Sequence, residues 1–331
     1  MLIETYNTRK MTRQLMSKFT AIAILTCVTQ FSQARPDTFI NPQETVIAIG
    51  DLHGDLNAML TILRSAQLID DNNNWIGNTQ TLVQVGDILD RGDDEKEMIN
   101  IFETLIDQAK AVGGDVIVLN GNHETMNVDL DFRYVTDKGF SNFQSLYEDH
   151  KDEITDPDVL NKKESERGRA VAFKPAGDYA QILATHNSVV VIGKTVYVHG
   201  GITPEHADYG LDAINNEVSA WMQGIENKPS SVSGSGPLWN RDYGYDVSAE
   251  ICEQLETTLE KLNATRMVIA HTRQDNINQV CNGKVWRIDT SMSSYYSNGK
   301  LQALKITNDD HIEIIEEDGS ITDTGFGGIS N

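Results

Sequence analysis

The sequence predicts an α/β protein in which two β-sheets pack together and are flanked by helices. Six short β-rich apolar runs recur along the chain, and segments with helical spacing separate the first three of them. Strands that alternate with helices pair in parallel, so the first three runs are expected to share one sheet and the later runs to add a second. With 331 residues, of which 39% are hydrophobic, the chain can bury a substantial core.

The strands are predicted at runs of β-branched and aliphatic residues, which suit a pleated sheet. In chain order these runs are 45–50, 81–86, 115–120, 195–200, 266–271 and 284–289. Helices are predicted where apolar residues recur every three or four positions. The first such set is Leu56, Leu60 and Leu63, and the second is Met98, Ile101, Phe102 and Leu105.

Three segments interrupt this pattern. Residues 129–169 are polar and charged, and we expect a helical insertion there that forms a cap or loop region. Residues 228–236 read "KPSSVSGSG", which predicts a flexible loop. Residues 309–331 are acidic and then rich in glycine, which predicts a frayed tail.

The N-terminus has the pattern of a targeting segment. Basic residues precede an apolar run at 19–31, and small residues follow at Ser32 and Ala34. A membrane span needs about 20 apolar residues, so this shorter run favours a cleaved secretory signal over an uncleaved anchor or a disordered tail. We therefore expect a signal at 1–34, a single domain at 35–331, and a protein that is periplasmic or secreted and free of the membrane after cleavage.

The charge of the chain limits its possible partners, and its cysteines limit the chemistry that it can carry out. The chain has 27 basic and 49 acidic residues, for a formal charge of −22, which argues against nucleic acid or an anionic membrane as a partner. Cys27 lies in the predicted signal, and Cys252 and Cys281 could form one disulfide or remain two buried thiols. Neither cysteine has the spacing of a zinc ligand. Neither is followed by the glycine-rich loop, ending in arginine, with which a cysteine phosphatase binds phosphate.

Polar side chains follow five of the predicted strands. Because open α/β sheets bind ligands at the carboxyl ends of their strands, these side chains are expected to meet. They include Asp51, His53, Asp87, Asp90, Arg91, Asn122, His123, Glu124, His199 and His271. Carboxylates and imidazoles suit Mn, Fe or Zn, and two such ions can turn a bound water into a nucleophile. The residue types predict a two-metal site.

The motifs that contain these residues resemble those of a known family. "GDLHGD" (50–55), "GDILDRG" (86–92), "GNHE" (121–124), "HGG" (199–201) and the late His271 resemble the calcineurin-like metallophosphoesterases, in their phosphoprotein phosphatase branch. "DRGDDE", "NGNHETMNVDLDFRYV" and "PLWNRDYG" resemble the Shewanella-like bacterial phosphatases, in particular cold-active protein-tyrosine phosphatases. The five motifs span about two thirds of the chain in the family's order, which makes the resemblance specific.

The resemblance implies a metallophosphoesterase fold and two divalent ions, which would be Mn, Fe or Zn, with Mg or Ca also compatible. Asp51, His53 and Asp87 would hold the first ion. The second would be held by Asp87 as a bridge together with Asn122, His199 and His271.

The resemblance also implies roles toward the substrate. His123 would be the general acid, oriented by Asp90. Arg91 and Arg241 would hold the phosphoryl oxygens, because a planar guanidinium donates two parallel hydrogen bonds. Asn122 and Arg133 would add phosphate contacts, although Arg133 could equally form a salt bridge inside the insertion.

The predicted function is hydrolysis of phosphotyrosine in proteins or peptides, and of aryl phosphates, by direct attack of water that the two metals activate. We expect a monomer and a phosphorylated protein or peptide as substrate. The alternatives are a broader serine, threonine and tyrosine phosphatase, a hydrolase of the symmetrical diadenosine tetraphosphatase type, and an inactive module that binds phosphopeptides. The inactive module is disfavoured because both His123 and Asp90 are present.

Overall fold

Two six-stranded β-sheets form the centre of the protein. The computed structural model describes residues 35–327, so the predicted signal at 1–34 lies outside the described residues. The strands are β1 (Phe39–Ile40), β2 (Thr45–Ile49), β3 (Thr81–Gln84), β4 (Asp115–Val118), β5 (Val189–Ile192), β6 (Thr195–Val198), β7 (Arg266–Ile269), β8 (Asn278–Val280), β9 (Val285–Arg287), β10 (Gln302–Thr307), β11 (His311–Glu316) and β12 (Ile321–Asp323).

The strand order confirms the predicted architecture. In the first sheet the order is β12-β11-β10-β2-β3-β4, and β2, β3 and β4 are parallel as predicted. The second sheet has the order β1-β5-β6-β7-β9-β8, in which β6, β7 and β9 are parallel. All six predicted strands are present, and each ends one or two residues early because the following residues leave the ladder to form loops.

Helices flank both sheets. They are α1 (Leu56–Ser65), α2 (Glu95–Ala111), α3 (Asn122–Val128), α4 (Asp137–Ser141), α5 (Gln144–Glu148), α6 (Pro157–Leu160), α7 (Glu164–Phe173), α8 (Asp178–Leu183), α9 (Pro204–Tyr209), α10 (Leu211–Met222) and α11 (Ala249–Lys261). Both helices predicted from apolar spacing are present as α1 and α2. Asp55 caps α1, since its side chain accepts a hydrogen bond from the Ala58 amide at 2.9 Å.

The insertion at 129–169 is helical, as predicted, and contains α4, α5, α6 and the start of α7. It is more than a solvated cap, because α7 carries the fully buried Arg169. Phe143 and Phe173 pack edge to face at 5.1 Å between ring centroids and are also fully buried. The insertion therefore packs into the main core through Phe143, and a small separate cluster of its own contains Phe132, Tyr147 and Val159.

The prediction of a frayed tail from residue 309 is wrong as far as Asp323. Residues in that segment form β11 and β12, which extend the first sheet in antiparallel order. Ile312 and Ile315 are buried, and Glu313 pairs with Lys305 of β10 at 2.8 Å. The acidic residues of this segment made it read as a tail, but they lie in the same strand as the buried Ile312 and Ile315.

The interior between the two sheets is an apolar layer that brings their strand ends together. Val83 and Ile117 from the first sheet share a buried cluster with Tyr197, Val268 and Trp286 from the second. Within residues 35–327, no helix combines the length and apolar character needed to cross a membrane.

A disulfide joins Cys252 of α11 to Cys281, which lies between β8 and β9. Their Cα atoms are 5.4 Å apart. Of the two alternatives left open by the sequence, the structure contains the disulfide.

Candidate active site

The loops after β2, β3, β4, β6, β7 and β9 meet at one edge of the two sheets. Two glycines make this approach possible, because a side chain at either position would collide with the neighbouring loop. A Cβ atom at Gly121 would lie 2.2 Å from Asp87 Oδ1, and one at Gly50 would lie 2.5 Å from the Ile288 carbonyl oxygen. The motif glycines thus allow the strand ends to pack closely.

Several of these loop residues have a left-handed backbone, which is uncommon for residues other than glycine. The φ angles are 45° for His53, 57° for Asp87, 68° for Asp90, 69° for Arg91 and 65° for His271. Such conformations cost free energy and persist where the surrounding structure imposes them, often at functional sites. Five of the predicted site residues share this property.

Glu124 holds two of the loops in place. Its buried carboxylate accepts hydrogen bonds from the amides of Asp87 at 2.9 Å, Ile88 at 2.9 Å, Leu89 at 3.1 Å and Gly121 at 2.7 Å. A single side chain thereby accepts hydrogen bonds from backbone N–H groups in the loops that follow β3 and β4. The "GNHE" glutamate is a structural residue of the site.

Asp51, His53 and Asp87 lie together at the predicted first metal position. His53 Nε2 is 3.7 Å from Asp51 Oδ2 and 3.9 Å from Asp87 Oδ2. His53 Nδ1 is 3.0 Å from the Leu89 carbonyl oxygen, and because a carbonyl only accepts, Nδ1 carries the proton. The lone pair of Nε2 therefore faces the two carboxylates, as a metal ligand requires.

The predicted second metal position has the same design. His199 Nδ1 donates to the Val85 carbonyl oxygen at 2.8 Å, and Nε2 faces two acceptor oxygens, Asp87 Oδ2 at 3.2 Å and Asn122 Oδ1 at 3.0 Å. Asp87, His199 and His271 offer ligand atoms that all lie within 4.8 Å of one another. His271 Nε2 is buried and has no hydrogen-bond partner, which indicates that an ion belongs beside it.

The electrostatics of this cluster favour a bound cation. Burial lowers the pKa of His53 to about 3 and that of His271 to about 2, so both imidazoles are neutral ligands. Burial, and then the nearby carboxylates of Asp289 and Asp87, raise the pKa of Asp51 well above its ordinary value. Divalent ions would relieve this repulsion, and the oxygen and nitrogen donors suit Mn, Fe or Zn.

His123 and Asp90 form a tight pair beside the metal positions. His123 Nδ1 is 2.5 Å from Asp90 Oδ2, and both side chains are buried. Burial lowers the pKa of His123, but the carboxylates of Asp87 and Asp90 outweigh it and the pKa lies above its ordinary value. His123 Nε2 lies 3.8 Å from Asp87 Oδ2, so this ring could also join His53 and Asp87 around an ion.

Two of the three predicted phosphate arginines line the site. Arg91 Nη2 lies 3.4 Å from His123 Nε2, and Arg241 Nη1 donates to the His271 carbonyl oxygen at 2.8 Å. Arg133 lies elsewhere: its exposed guanidinium pairs with Asp131 inside the insertion and lines a separate cavity. The structure therefore supports the salt-bridge alternative for Arg133 and gives no support to a phosphate contact.

The site is a cavity of about 530 Å³. Three tyrosines line it and are called here the aromatic wall: Tyr134, Tyr295 and Tyr296. The guanidinium carbon of Arg91 lies 4.7 Å from the ring centroid of Tyr134, 5.5 Å from that of Tyr295 and 5.6 Å from that of Tyr296. The guanidinium carbon of Arg273 lies 4.7 Å from the ring centroid of Tyr296. Stacking of this kind holds a guanidinium in place and leaves its edge free to donate.

Sequence reasoning missed two buried residues of this site. Asp289 is the last residue of the predicted strand run 284–289, which is the signal that would have found it. Its Oδ2 is buried without a hydrogen-bond partner next to Asp51. Arg169 lies in the insertion and contacts Asp90. No local motif marks Arg169, because its partners are distant in sequence.

Comparison with known proteins identifies the family. The profile described as calcineurin-like phosphoesterase matches residues 44–275, which is more than half of the chain and contains every metal-ligand candidate. The chain belongs to the calcineurin-like phosphoesterase family. The predicted resemblance is confirmed, and this phosphoesterase is a hydrolase of the metallophosphoesterase fold.

Relatives of this phosphoesterase carry protein phosphatase names. It is 36% identical to Shewanella-like protein phosphatase 2 of Arabidopsis thaliana, over 82% of this chain and 77% of the relative. It is 30% identical to Shewanella-like protein phosphatase 1 of Plasmodium berghei, over 80% and 72%. A solved structure of the cold-active protein-tyrosine phosphatase of a psychrophilic Shewanella species aligns with a TM-score of 0.71 at 25% identity, over 88% of this chain and 83% of that one.

Proposed function

We propose that this phosphoesterase hydrolyses phosphotyrosine in proteins or peptides, together with simple aryl phosphates. The observation that carries the proposal is the position of Arg91, between the acid candidate His123 and the tyrosine rings of the aromatic wall. A phosphate held by Arg91 places its ester oxygen near His123 and its phenyl ring against tyrosine. The phosphatase names of the relatives support the same class of substrate.

The metal ligands are proposed as two overlapping sets. Asp51, His53 and Asp87 would hold the first ion, and Asp87, Asn122, His199 and His271 the second. When bound, two divalent ions supply Lewis-acid stabilisation and an activated water as nucleophile. The donor set favours Mn, Fe or Zn.

The remaining chemistry is assigned to side chains of the cavity. Arg91 and Arg241 bind the phosphoryl oxygens and stabilise the charge that spreads over them during transfer. His123 donates a proton from Nε2 to the departing ester oxygen, while Asp90 holds the ring through Nδ1. No phosphoenzyme is expected, because the proposed nucleophile is water. Both cysteines of the described residues, Cys252 and Cys281, are joined in a disulfide and are not available as nucleophiles.

Preference for tyrosine could arise in two ways that make different predictions. A phenolate leaves more easily than an alkoxide, so any enzyme of this design favours aryl phosphates. Contact with the aromatic wall would add selective binding, worth about 0.5–1.5 kcal/mol for a ring pair. Replacing Tyr295, which is 58% exposed at the cavity mouth, separates the two effects.

The first experiment is a substrate panel. Enzyme stripped by a chelator and reloaded with Mn²⁺ is assayed on a phosphotyrosine peptide, a phosphoserine peptide, diadenosine tetraphosphate and nitrophenyl phosphate. We expect the phosphotyrosine peptide to have the highest kcat/KM of the biological substrates. A higher value for diadenosine tetraphosphate would replace the proposal with a nucleotide hydrolase, and equal values for both peptides would replace it with a broad protein phosphatase.

The second experiment uses Tyr295→Ala, with Tyr209→Ala as a matched control. Tyr209 is 55% exposed, lies on α9 and is absent from the cavity lining. We expect Tyr295→Ala to raise KM for the phosphotyrosine peptide by about 2- to 10-fold, with little change for phosphoserine peptide. An equal effect on both peptides would mean that the wall does not recognise the tyrosine ring.

We propose further that the protein is exported and acts in the periplasm or outside the cell. The signal pattern at 1–34 supports this, and so does the Cys252–Cys281 disulfide. Disulfides persist in oxidising compartments and are rare in the cytosol.

A further inference from the structure

Arg169 is a fully buried cation whose donors are all used. Nε donates to Asn127 Oδ1 at 2.7 Å, Nη1 to Glu95 Oε2 at 2.5 Å and to the Gly139 carbonyl oxygen at 3.2 Å. Nη2 donates to Glu95 Oε1 at 2.9 Å and to Asp90 Oδ1 at 3.3 Å. A guanidinium has five N–H groups, and five acceptors surround this one.

Packing holds the guanidinium in this position. Its carbon lies 4.9 Å from the ring centroid of Phe173 and 5.4 Å from that of Phe143, and both rings are fully buried. The side chain therefore packs beside two aromatic rings that also contact each other, and it has no exposed surface. Its position is set by the insertion, whereas Asp90 belongs to the loop that follows β3.

The network determines how Asp90 faces His123. An arginine Nε only donates, so Asn127 presents its oxygen to Arg169 and its amide nitrogen to Asp90 Oδ1, at 2.9 Å. Asp90 Oδ1 thus receives hydrogen bonds from Asn127 and from Arg169. Oδ2 is the oxygen left for His123 Nδ1, at 2.5 Å.

A purely structural role accounts for only part of this arrangement. Glu95 and the Gly139 carbonyl take three of the five donors, and this pairing alone would neutralise Arg169. The other two donors act on Asp90, one directly and one through Asn127. Asn127 Nδ2 also donates to the His123 carbonyl oxygen at 2.9 Å, so the same amide contacts the backbone of the acid.

We propose that Arg169 is a positioning residue for the reaction: from the insertion it locks the Asp90 carboxylate, and through it His123, in the orientation that protonates the leaving group. This inference rests on the proposed role of His123 as general acid. It gives the insertion a part in catalysis beyond covering the site. Removing Arg169 should let Asp90 rotate, and proton donation should suffer most where the leaving group is poor.

The test measures the ratio of kcat on a phosphotyrosine peptide to kcat on dinitrophenyl phosphate. The second substrate has a leaving group that needs little protonation, so the ratio reports the acid. The main variant is Glu95→Gln with Arg169→Gln, which removes both charges together and avoids leaving the Glu95 carboxylate buried without its cation, while Asp90 keeps His123 as a partner. Metal content and thermal stability are measured on every variant.

We expect the paired variant to keep both metals and to lower the ratio by about 10- to 100-fold, the scale of a misplaced catalytic group. In a His123→Asn background, the same pair of substitutions should lower the ratio no further. Arg169→Lys keeps the charge but not the planar fork, so it should lower the ratio by a smaller factor. If the paired variant fails to fold, the ratio measured for Arg169→Lys tests the inference instead. A lowered ratio supports the positioning role, and an unchanged ratio contradicts it.

Arg167→Gln is the matched control. Arg167 lies on the same helix and ties the insertion together by donating to Tyr147 Oη at 2.8 Å and to the Lys162 carbonyl oxygen at 3.2 Å. It has no contact with Asp90, so its loss should reduce stability and leave the ratio unchanged.

Two results would overturn the inference in distinguishable ways. If His123→Asn lowers the ratio but the Arg169 variants do not, Arg169 is structural and the acid assignment stands. If His123→Asn itself leaves the ratio unchanged or removes a metal, the proposed acid is wrong and the role of Arg169 falls with it.

Discussion

Asp87 is the residue on which both metal positions depend. Its carboxylate lies near His53 of the first set and His199 of the second, and its Oδ1 accepts the His123 amide at 2.9 Å. Burial alone would raise the pKa of Asp87, but the surrounding histidines hold it well below the ordinary value, so the group is a carboxylate. One anion between two ion positions is the arrangement that a bridging ligand requires.

Asp87→Asn should therefore reduce bound metal from two ions toward one or none and abolish turnover. Elemental analysis of the purified variant measures the first effect, and hydrolysis of nitrophenyl phosphate the second. Asp318→Asn is the control, because Asp318 is exposed in the turn between β11 and β12 and accepts the Ser320 amide at 2.8 Å through an oxygen that asparagine also has. Full activity in metal-free wild-type enzyme would contradict the two-metal assignment.

Asp289 is a second buried carboxylate beside Asp51, and two such groups repel each other unless a cation lies next to them. Its carboxylate raises the pKa of Asp51, after the larger effect of burial, and its Oδ2 is buried without a hydrogen-bond partner. Asp289→Asn would supply a donor to Asp51. We expect the chelated variant to be more stable than chelated wild type, by about 1 kcal/mol, in thermal denaturation. Equal or lower stability would show that the two carboxylates do not repel each other in the metal-free protein.

The strands place the ligands, but the loops between strand and helix orient them. Glu124, the third residue of α3, binds four backbone amides from the loops after β3 and β4. The loops that it connects follow neighbouring strands of the sheet, although Asp87 and Glu124 are 37 residues apart in the sequence. This contact explains how a left-handed backbone at Asp87 is maintained.

Glu124→Gln should lower the free energy of unfolding by about 2–4 kcal/mol, because the amide nitrogen of glutamine would face backbone donors and leave some of them unsatisfied. Urea denaturation measures the loss. Glu148→Gln, an exposed glutamate that pairs with Lys151 at the surface, should have a much smaller effect. Equal losses in the two variants would mean that Glu124 does not hold the loops.

The two sheets of the molecule contribute unequally to the site. The first sheet supplies Asp51, Asp87 and Asn122, and the second supplies His199 and His271. The proposed ligands of the second ion come from both sheets, so the proposed two-metal site requires the packing between them. The disulfide ties α11 to the β8–β9 turn and so reinforces the second sheet and its helix.

Removing the disulfide with Cys252→Ser and Cys281→Ser should lower the free energy of unfolding. The cysteines are 29 residues apart, and closing a loop of that size is worth about 3.5 kcal/mol by the chain-entropy estimate. Chemical denaturation of the variant and of wild type with reductant should give the same shift. Indifference of the wild type to reductant would contradict a stabilising disulfide.

Export predicts the N-terminus of the mature protein. Protein purified from its source should begin at or near Arg35 and should be found in the periplasm or the medium. N-terminal sequencing and cell fractionation measure both. An intact N-terminus on cytosolic protein would overturn the proposal of export.

The sequence by itself determined the strands that carry the site and the residue types at their ends. Each motif is contiguous and follows a buried run, so local pattern was enough to find Asp51, Asp87 and Asn122. Patterns that depend on distant partners cannot be read locally: the β11 segment reads as a frayed tail because the residues that bury Ile312, such as Val46 and Tyr197, come from other parts of the chain.

Tertiary structure alone decided which charged residues act together. Arg133 and Arg169 are both arginines of the same insertion, yet one is exposed beside Asp131 and the other is buried against Asp90. Composition and spacing do not distinguish them, because burial is set by the aromatic rings and carboxylates that folding brings from other segments. A buried guanidinium is stable only where acceptors surround it, and the folded chain provides those acceptors only at Arg169 among these two positions.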